Sequence, residues 1–452
     1  GNNFKELPTI YIIINRNCYF YLKNKKDNIK MKVSVIGLGK EGENAVKSLL
    51  NYGCHVYASD INENIDLTTF DDYIEYPDKG LDIDLGHHDL DKIHSSDAVV
   101  ISPGLWNLKM AEKIRSQKKL LSDVFKKHES IFTVGVKGTN GKTTTCFMIK
   151  EILEKKGLKV LVGGNAGGGF QGYTQLILEA ELGKTEQKYD VMVVEVCDMT
   201  LDFSRATFNL DVVVVTNVGT DHMDFHVSLE NYCESVCRFL KDKKAVLNGY
   251  DVNLRNLGDC ADETLFFEEY AGKLNVFGKF NRQNAGAASE IGKILGATSD
   301  DITTALGDFK GVEGRTKLLE VHGSRVLIGK TDNADATSAV LTETHFDVVM
   351  IGTPRKGELC RFDTLRKVSK ANPSVLALFP GLDDTVDAAL KILKNTGYSG
   401  EVKILEDVSE VVDFTLKLTK VEPGISIFIG GNGQDKITEI QKKLYPHSKD
   451  KD

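Results

Sequence analysis

The sequence has no apolar run long enough for a transmembrane helix, which needs about 20 such residues in succession. Its apolar stretch at 10–14 is cut short by Asn15 and Arg16 and leads into lysine-rich sequence without a small-residue cleavage site, so neither a spanning segment nor a signal peptide is expected. Positive charge is not in excess: 57 Lys and Arg stand against 65 Asp and Glu, a net charge of −8. That balance supplies no general attraction to nucleic acid or to an anionic membrane, and neither is expected as a partner; a phosphate must be held by a local site. Dense cysteine spacing is missing too. The eight cysteines (Cys18, Cys54, Cys146, Cys197, Cys233, Cys237, Cys260 and Cys360) are scattered, so reduced thiols and a cytoplasmic protein are expected. Short repeats and low-complexity tracts are also lacking. The remainder is ordinary globular usage, 41% hydrophobic and 27% charged in 452 residues, enough for about three domains of ~150 residues each.

Residues 1–30 read unlike the rest of the chain and are expected to be a leader or extension outside the fold. From Met31 the chain alternates strand and helix. An apolar strand at 32–36, a glycine turn, an amphipathic helix to about residue 51 and a strand at 55–59 make a βαβ unit, and a later apolar strand at 98–101 stops at Ser102-Pro103-Gly104. A second unit opens with a strand at 131–136, a helix at about 142–156 and strands at 159–162, 191–196 and 212–216. Near-continuous Val and Ile runs of this kind suit parallel strands buried on both faces. After about residue 311 the alternation repeats, with strands at 348–351, 375–379 and 425–429. The expected division is 31–127, 128–311 and 312–452, three α/β units in series.

Two glycine loops carry the chemistry. Gly37-Leu38-Gly39-Lys40-Glu41-Gly42 follows a strand and opens a helix, with Asp60 about twenty residues on, as in a dinucleotide fingerprint. The pattern suits NAD, a nucleotide diphosphate or other phosphorylated group held by backbone N–H donors, or a merely structural tight turn. The second loop is more specific. In Gly135-Val-Lys-Gly138-Thr139-Asn140-Gly141-Lys142-Thr143-Thr144-Thr145, strand, glycine-rich loop and helix come in the order that lets amides cradle phosphates, Lys142 reach the β and γ phosphates and the Thr143 hydroxyl meet Mg²⁺. Its first glycine sits one residue earlier than strict spacing requires.

Gly-Thr-Asn-Gly-Lys-Thr-Thr at 138–144 resembles the ATP loop of the Mur ligase superfamily, and the similarity continues in order from about Met31 to the C-terminus. Ser102-Pro103-Gly104 resembles the end of that family's first-domain strand, and Gly164-Asn165-Ala166-Gly167 its Gly-Asn-x-Gly loop. Glu195 matches a glutamate that helps hold Mg²⁺. Thr216-Asn217-Val218-Gly219-Thr220-Asp221-His222-Met223-Asp224 resembles the Asp-His segment, with His222 a second metal contact. Gly278 with Asn281 and Asn284 resembles the adenosine segment, and Gly314-Arg315 the arginine entering the third domain. The runs at 163–170, 195–200 and 430–434 are most like the archaeal pseudomurein peptide ligases.

The resemblance implies an α/β protein of three domains: a Rossmann-like domain for a UDP-linked or otherwise phosphorylated peptide acceptor, a central P-loop ATPase domain, and a Rossmann-like C-terminal domain for the incoming amino acid. It implies ATP and Mg²⁺, a second Mg²⁺ being open, a monomer, and ligation of a carboxylate to an amine through an acyl phosphate. Lys142, Glu195, His222 and Arg315 would be catalytic. Gly138, Thr139, Asn140, Gly141, Lys142, Thr143, Thr144, Asn281, Asn284, Arg315, Lys330 and Asp332 would bind ATP; Thr143, Glu195 and His222 the metal; Gly37, Gly39, Gly42, Asp60, Ser102, Asn165 and Asn432 the substrates.

Two departures stand out. The family's helix after the Asp-His segment usually carries a lysine that becomes carbamylated and assists a second metal, whereas 229–240 has none, leaving Glu234 to supply the charge or the second metal to be held differently. Lys330-Thr-Asp332-Asn-Ala-Asp335-Ala matches its segment only loosely. Plainer readings stay open: a solvated strand-end Glu195, a capping His222, Asn281 and Asn284 as a helix cap, and Asn432 and Gln434 as turn residues. His222, His226, Cys233 and Cys237 have spacing that zinc could use, though cysteines on a helix face are more often buried apolar groups. Alternatives of other kinds are a Mur-like ligase acting on a methanogen nickel tetrapyrrole or on folate, an NAD(P)-dependent oxidoreductase, and a noncatalytic nucleotide-binding module.

Overall fold

The computed structural model describes residues 31–75, 80–182, 189–221 and 223–449. These form two compact units, one built from the described residues up to His128 together with Gln171–Leu182, the other from Glu129–Phe170 and the described residues after 182.

In the first unit, β1 (Lys32–Ile36), β2 (His55–Asp60), β3 (Leu81–Leu85) and β4 (Ala98–Ile101) form a parallel sheet in the order β3-β2-β1-β4. The order reverses beside β1, so the loop after that strand, with the glycines, opens at the switch point where such sheets bind ligands. Helix Lys40–Tyr52 packs Ala45, Val46 and Leu49 onto Val33 and Val35 and ends at Gly53 in the left-handed conformation, a regular C-terminal stop. Helix Tyr173–Leu182 falls inside the span expected for the central domain but belongs to this unit, with Leu178 in its core.

The second unit holds two sheets. β5 (Phe132–Lys137), β6 (Val160–Gly164), β7 (Val191–Glu195), β8 (Val212–Val215), β9 (Lys244–Asn248) and β10 (Glu263–Phe267) pair in parallel in the order β10-β9-β8-β5-β7-β6. The inner strands β7 and β8 are buried at every residue, which is why their sequences are near-unbroken valine runs rather than alternating ones. Helices Lys142–Lys155 and Lys279–Ile294 pack over them through Ile149, Ile152, Leu153, Ala288 and Ile291; each of the larger aliphatic side chains contributes roughly 1.5–3 kcal/mol when fully buried. The other sheet runs β11 (Lys317–Val321), β12 (Ser324–Ile328), β16 (Ser426–Gly431), β13 (Val348–Gly352), β14 (Val375–Phe379), β15 (Glu401–Ile404), parallel except for the β11–β12 hairpin.

The structure corrects one expectation. Cys237, on helix Leu229–Leu240, is disulfide-bonded to Cys260, with Cα atoms 5.2 Å apart, whereas the scattered spacing implies reduced thiols throughout. The two lie 23 residues apart in sequence, and the fold brings the helix alongside the turn Gly258–Cys260, a proximity no local spacing reveals. Cys54, Cys146, Cys197, Cys233 and Cys360 form no disulfide among the described residues, and Cys18 lies outside them. Cys237 is thereby taken out of the His and Cys set considered for zinc.

Candidate active site

The loop after β5 is shaped by two glycines with positive φ. A Cβ at Gly138 (φ +138°) would lie 2.0 Å from Thr216 Oγ1, and one at Gly141 (φ +87°) 2.2 Å from Asn284 Oδ1, so no side chain fits at either position. Asn217 holds the loop from the next strand end, accepting from the backbone N–H of Asn140 at 2.9 Å and donating to its carbonyl at 2.9 Å. Helix Lys142–Lys155 then starts at Gly141 with no side-chain cap. Its first amides and the positive end of its dipole make an anion site without a basic side chain.

Around that helix start the expected residues converge. The Thr143 hydroxyl donates to Glu195 Oε2 at 2.6 Å, and Asn165 Nδ2 donates to Glu195 Oε1 at 3.0 Å. Glu195 is fully buried at the end of β7, and Gly168 leaves it room: a Cβ there would lie 1.9 Å from Oε1. Arg315 Nη2 donates both to Thr143 Oγ1 and to the Gly168 carbonyl, each at 2.7 Å, and Nη1 bonds Gln434 Oε1. Lys142 Nζ donates to the carbonyls of Gly138 (2.6 Å) and Thr139 (3.1 Å) and lies 3.5 Å from Asp198. Burial pulls its ammonium down, but the carboxylates of Asp198 and Glu195 together hold it above the ordinary lysine range. Thr144 is buried in the first turn. Asn281 and Asn284 are bonded to each other at 3.0 Å, with Asn284 facing Gly141. His222 lies outside the described residues.

The segment that matches the family loosely is attached directly to this loop. Asn333 and Asn140 exchange side-chain amide bonds, and Asp335 accepts from the backbone N–H and hydroxyl of Thr220. Lys330 pairs with Asp332 at 3.0 Å, and Arg361 joins Asp332 to Asp221, the latter gripped by Nε and Nη2 at 3.1 Å each. Burial pushes the Asp332 carboxyl up, yet Lys330 and Arg361 hold it below the usual carboxylate range. Burial lowers the Lys330 ammonium despite Asp332. Asn432, just after β16, is 2% exposed, and neither atom of its side-chain amide has a partner among the described residues. A buried amide left in that state calls for a ligand or water.

In the first unit, taken by itself, Gly37 and Gly42 are required by packing. A Cβ at Gly42 would meet the Gly37 carbonyl oxygen at 1.8 Å, and one at Gly37 would meet Ser102 Cβ at 2.9 Å. Gly39 is different, since a Cβ there meets nothing within 4 Å. Asp60 is engaged by the loop itself, accepting from Leu38 N at 2.7 Å and Asn62 N at 2.9 Å.

Sequence reasoning does not single out Lys137, Asp198, Tyr232, Asn333 or Arg361. Asp198 and Asn333 lie within family-like stretches; Arg361 carries no local signal at all.

Residues 136–265 match the family described as Mur ligase middle domain. A UDP-N-acetylmuramoylalanine--D-glutamate ligase of Ligilactobacillus salivarius (strain UCC118) is 28% identical over 417 residues, 84% of this chain and 87% of that protein. Among solved structures, a pseudomurein peptide ligase type C from Methanothermus fervidus matches with TM-score 0.57 and 22% identity over 92% of this chain and 100% of that one. E. coli FolC in complex with DHPP and ADP matches with TM-score 0.56 and 15% identity over 72% and 91%. At these identities the solved structures speak to the fold alone. The chain is thus similar to Mur-type ligases along most of its length, with the Mur ligase middle domain matched at 136–265. The resemblance to the Mur ligase superfamily noted in the sequence therefore holds, in the middle-domain match and in relatives that span most of the chain.

The Asp332 network gives a stability prediction. A carboxylate whose folded pKa is depressed contributes stability above its unfolded value near ~3.9 and loses that contribution as pH falls toward the folded value. Asp332→Asn should lower stability at pH 7 by about 3 kcal/mol, since it leaves two buried cations short of a partner, and should make the loss below pH ~4 shallower than in the parent. Thermal midpoints of the two chains between pH 7 and pH 3 check this; parallel profiles would remove Asp332 from the network's energetics.

Proposed function

We propose that the chain uses ATP to activate the carboxylate of a UDP-linked or otherwise phosphorylated peptide acceptor and joins it to an amino acid, in building a pseudomurein-type cell-wall peptide. The observation that carries the reading is the meeting of Thr143, Glu195 and Arg315 at the uncapped start of the P-loop helix. The domain roles proposed are acceptor binding by 31–127, ATP by 128–311 and amino acid by 312–452, in a cytoplasmic monomer. FolC supports a second reading at the level of fold, a ligase of cofactor precursors. The oxidoreductase reading is weaker, because Asp60 is bound to its own loop.

An amine cannot expel an oxide from a carboxylate at useful speed, so the carboxylate oxygen first attacks the γ-phosphorus and ADP leaves. The amine nitrogen then attacks the acyl carbon, phosphate departs with the former carboxylate oxygen, and the amine loses a proton. Amides at the helix start and Lys142 stabilise the charge that gathers on the transferring group, and Arg315 adds a positive contact from the third sheet's side. The Thr143 hydroxyl and Glu195 carboxylate are hard oxygen donors fitted to Mg²⁺, with the room for Glu195 kept by Gly168, and His222 is proposed as a further ligand. Bound there, Mg²⁺ would supply Lewis-acid neutralisation of phosphate charge. Asn281 and Asn284 are assigned to adenosine, Lys330 and Asp332 to ordering the nucleotide side of the third sheet. Asn432 and Asn165 are assigned to substrates, and Gly37, Gly39, Gly42 and Ser102 to the acceptor's phosphorylated end, with Asp60 holding the glycine loop in shape.

Lys142→Ala should cut ATP-dependent ligation by at least about a hundredfold while the circular dichroism spectrum stays that of the parent. A folded variant with near-parent turnover would dismiss the P-loop assignment. Gly39→Val should raise the apparent KM for the acceptor and leave that for ATP unchanged, because valine fits the fold and intrudes only on the open space before the loop. If ATP saturation shifts instead, or neither does, the first unit does not bind the acceptor through this loop.

A further inference from the structure

Three buried ionisable side chains beneath the P-loop have no part in the reaction as derived. Lys137, the last residue of β5, is fully buried, its Nζ donating to Tyr232 OH at 3.1 Å and lying 3.3 Å from Asp198 Oδ1 and 4.4 Å from the Tyr232 ring centroid. Tyr232, 1% exposed on helix Leu229–Leu240, donates its hydroxyl to the same Asp198 oxygen at 2.7 Å. The other Asp198 oxygen faces Lys142 Nζ at 3.5 Å. Burial pulls the Lys137 ammonium below the ordinary lysine range even with Asp198 beside it, and burial with Asp198 drives the Tyr232 hydroxyl well up, so Tyr232 stays protonated and donating. Lys137, Tyr232 and Lys142 thus converge on one carboxylate.

A buried carboxylate is costly unless its oxygens are satisfied, and here one is doubly engaged from below while the other is aimed at the P-loop lysine. The arrangement is directional: Lys137 and Tyr232 fix Asp198, and Asp198 supplies a carboxylate partner to Lys142, whose Nζ the Gly138 and Thr139 carbonyls also hold. Glu234, the carboxylate on that helix weighed as a substitute for the missing lysine, is exposed, whereas Asp198 is inside.

We propose that Asp198 is a positioning residue for Lys142, held in place by Lys137 and Tyr232, so that this buried set governs where the P-loop lysine sits during phosphoryl transfer. The inference rests on the ligase reading above and names residues that act through Lys142 rather than on substrate. An ammonium displaced from its place loses contact chiefly with charge that develops in the transition state, so the loss falls on kcat more than on KM.

The test uses Asp198→Asn, Lys137→Met, both together, and Tyr232→Phe, in the full chain. Asp198→Asn should lower kcat by about tenfold or more with the apparent KM for ATP changed less than about threefold. Each charge change alone should lower the thermal midpoint, because it strips a buried charge of its partner, and the double variant should regain it. The double variant's kcat should nevertheless stay low. Recovery of kcat along with stability would overturn the proposal, since the pair would then be structural only. If the double variant does not refold well enough to compare, Tyr232→Phe decides: it keeps both charges and the ring, and a lowered kcat at parent-like thermal midpoint supports the proposal while parent-like kcat overturns it. A parent chain that ligates nothing would sink the ligase reading; a parent that ligates with Asp198→Asn unaffected would sink only this inference.

Discussion

The hydroxyl of Thr143 is where the second unit is tied together. It donates to Glu195 at the end of β7 and accepts from Arg315, which comes from the chain entering the third sheet. A fully buried glutamate at a strand end is unfavourable by several kcal/mol unless bonded. Its partners are therefore as constrained as it is. Asn165 must reach it, Gly168 must lack a Cβ, and the P-loop helix must begin where Thr143 can turn toward it. The chemistry proposed for the chain depends on this constraint: oxygen donors, a guanidinium and uncapped helix amides meet around one point, suited to a polyphosphate and a hard cation.

A second set of contacts keeps the third sheet's loops against that point. The Asn140–Asn333 amide exchange, the Asp335 bonds to Thr220 and the Arg361 grip on Asp221 join the loops after β5 and β8 to the segment after β12 and the turn that carries Arg361. Burial of the Arg361–Asp221 pair raises its cost and its specificity together, because a low-dielectric site leaves no water to replace a lost partner. Arg361 is shared among Asp221, Asp332 and Glu358, so most of its N–H groups are spoken for before a substrate carboxylate arrives. Asn432 keeps its capacity: its buried amide has no partner among the described residues, just after β16 and before the helix Gln434–Leu444. Substrate recognition in the third sheet is better sought there than at the ion cluster.

Much of the fold is readable from local pattern. β5, β7 and β8 are legible because strands covered on both faces need continuous aliphatic residues, and the two glycine loops because glycine, lysine and threonine spacing is fixed by backbone geometry within a few residues. The edge strands β3, β10 and β15 escape a reading of this kind, since partly exposed strands such as Leu-Asp-Ile-Asp-Leu or Glu-Val-Lys-Ile carry polar residues that blur the signal. Pairing across the chain is beyond reach in the same way. Arg361 and Asp221 lie 140 residues apart, Lys137 and Tyr232 95, and the Cys237–Cys260 bond joins a helix and a turn that only the folded chain brings together. The absence of lysine from 229–240 is visible in the sequence. That Asp198 and Lys137 meet Tyr232 of that helix is not.

In the proposed reaction ATP activates a carboxylate by transferring its terminal phosphoryl group to one of the carboxylate's own oxygens. Ligation with an acceptor whose carboxylate carries heavy oxygen tests it directly, by mass analysis of the released phosphate. The prediction is one labelled oxygen in phosphate for each amide formed, with ADP as the other product. Amide formation accompanied by unlabelled phosphate, or by AMP and pyrophosphate, would contradict it.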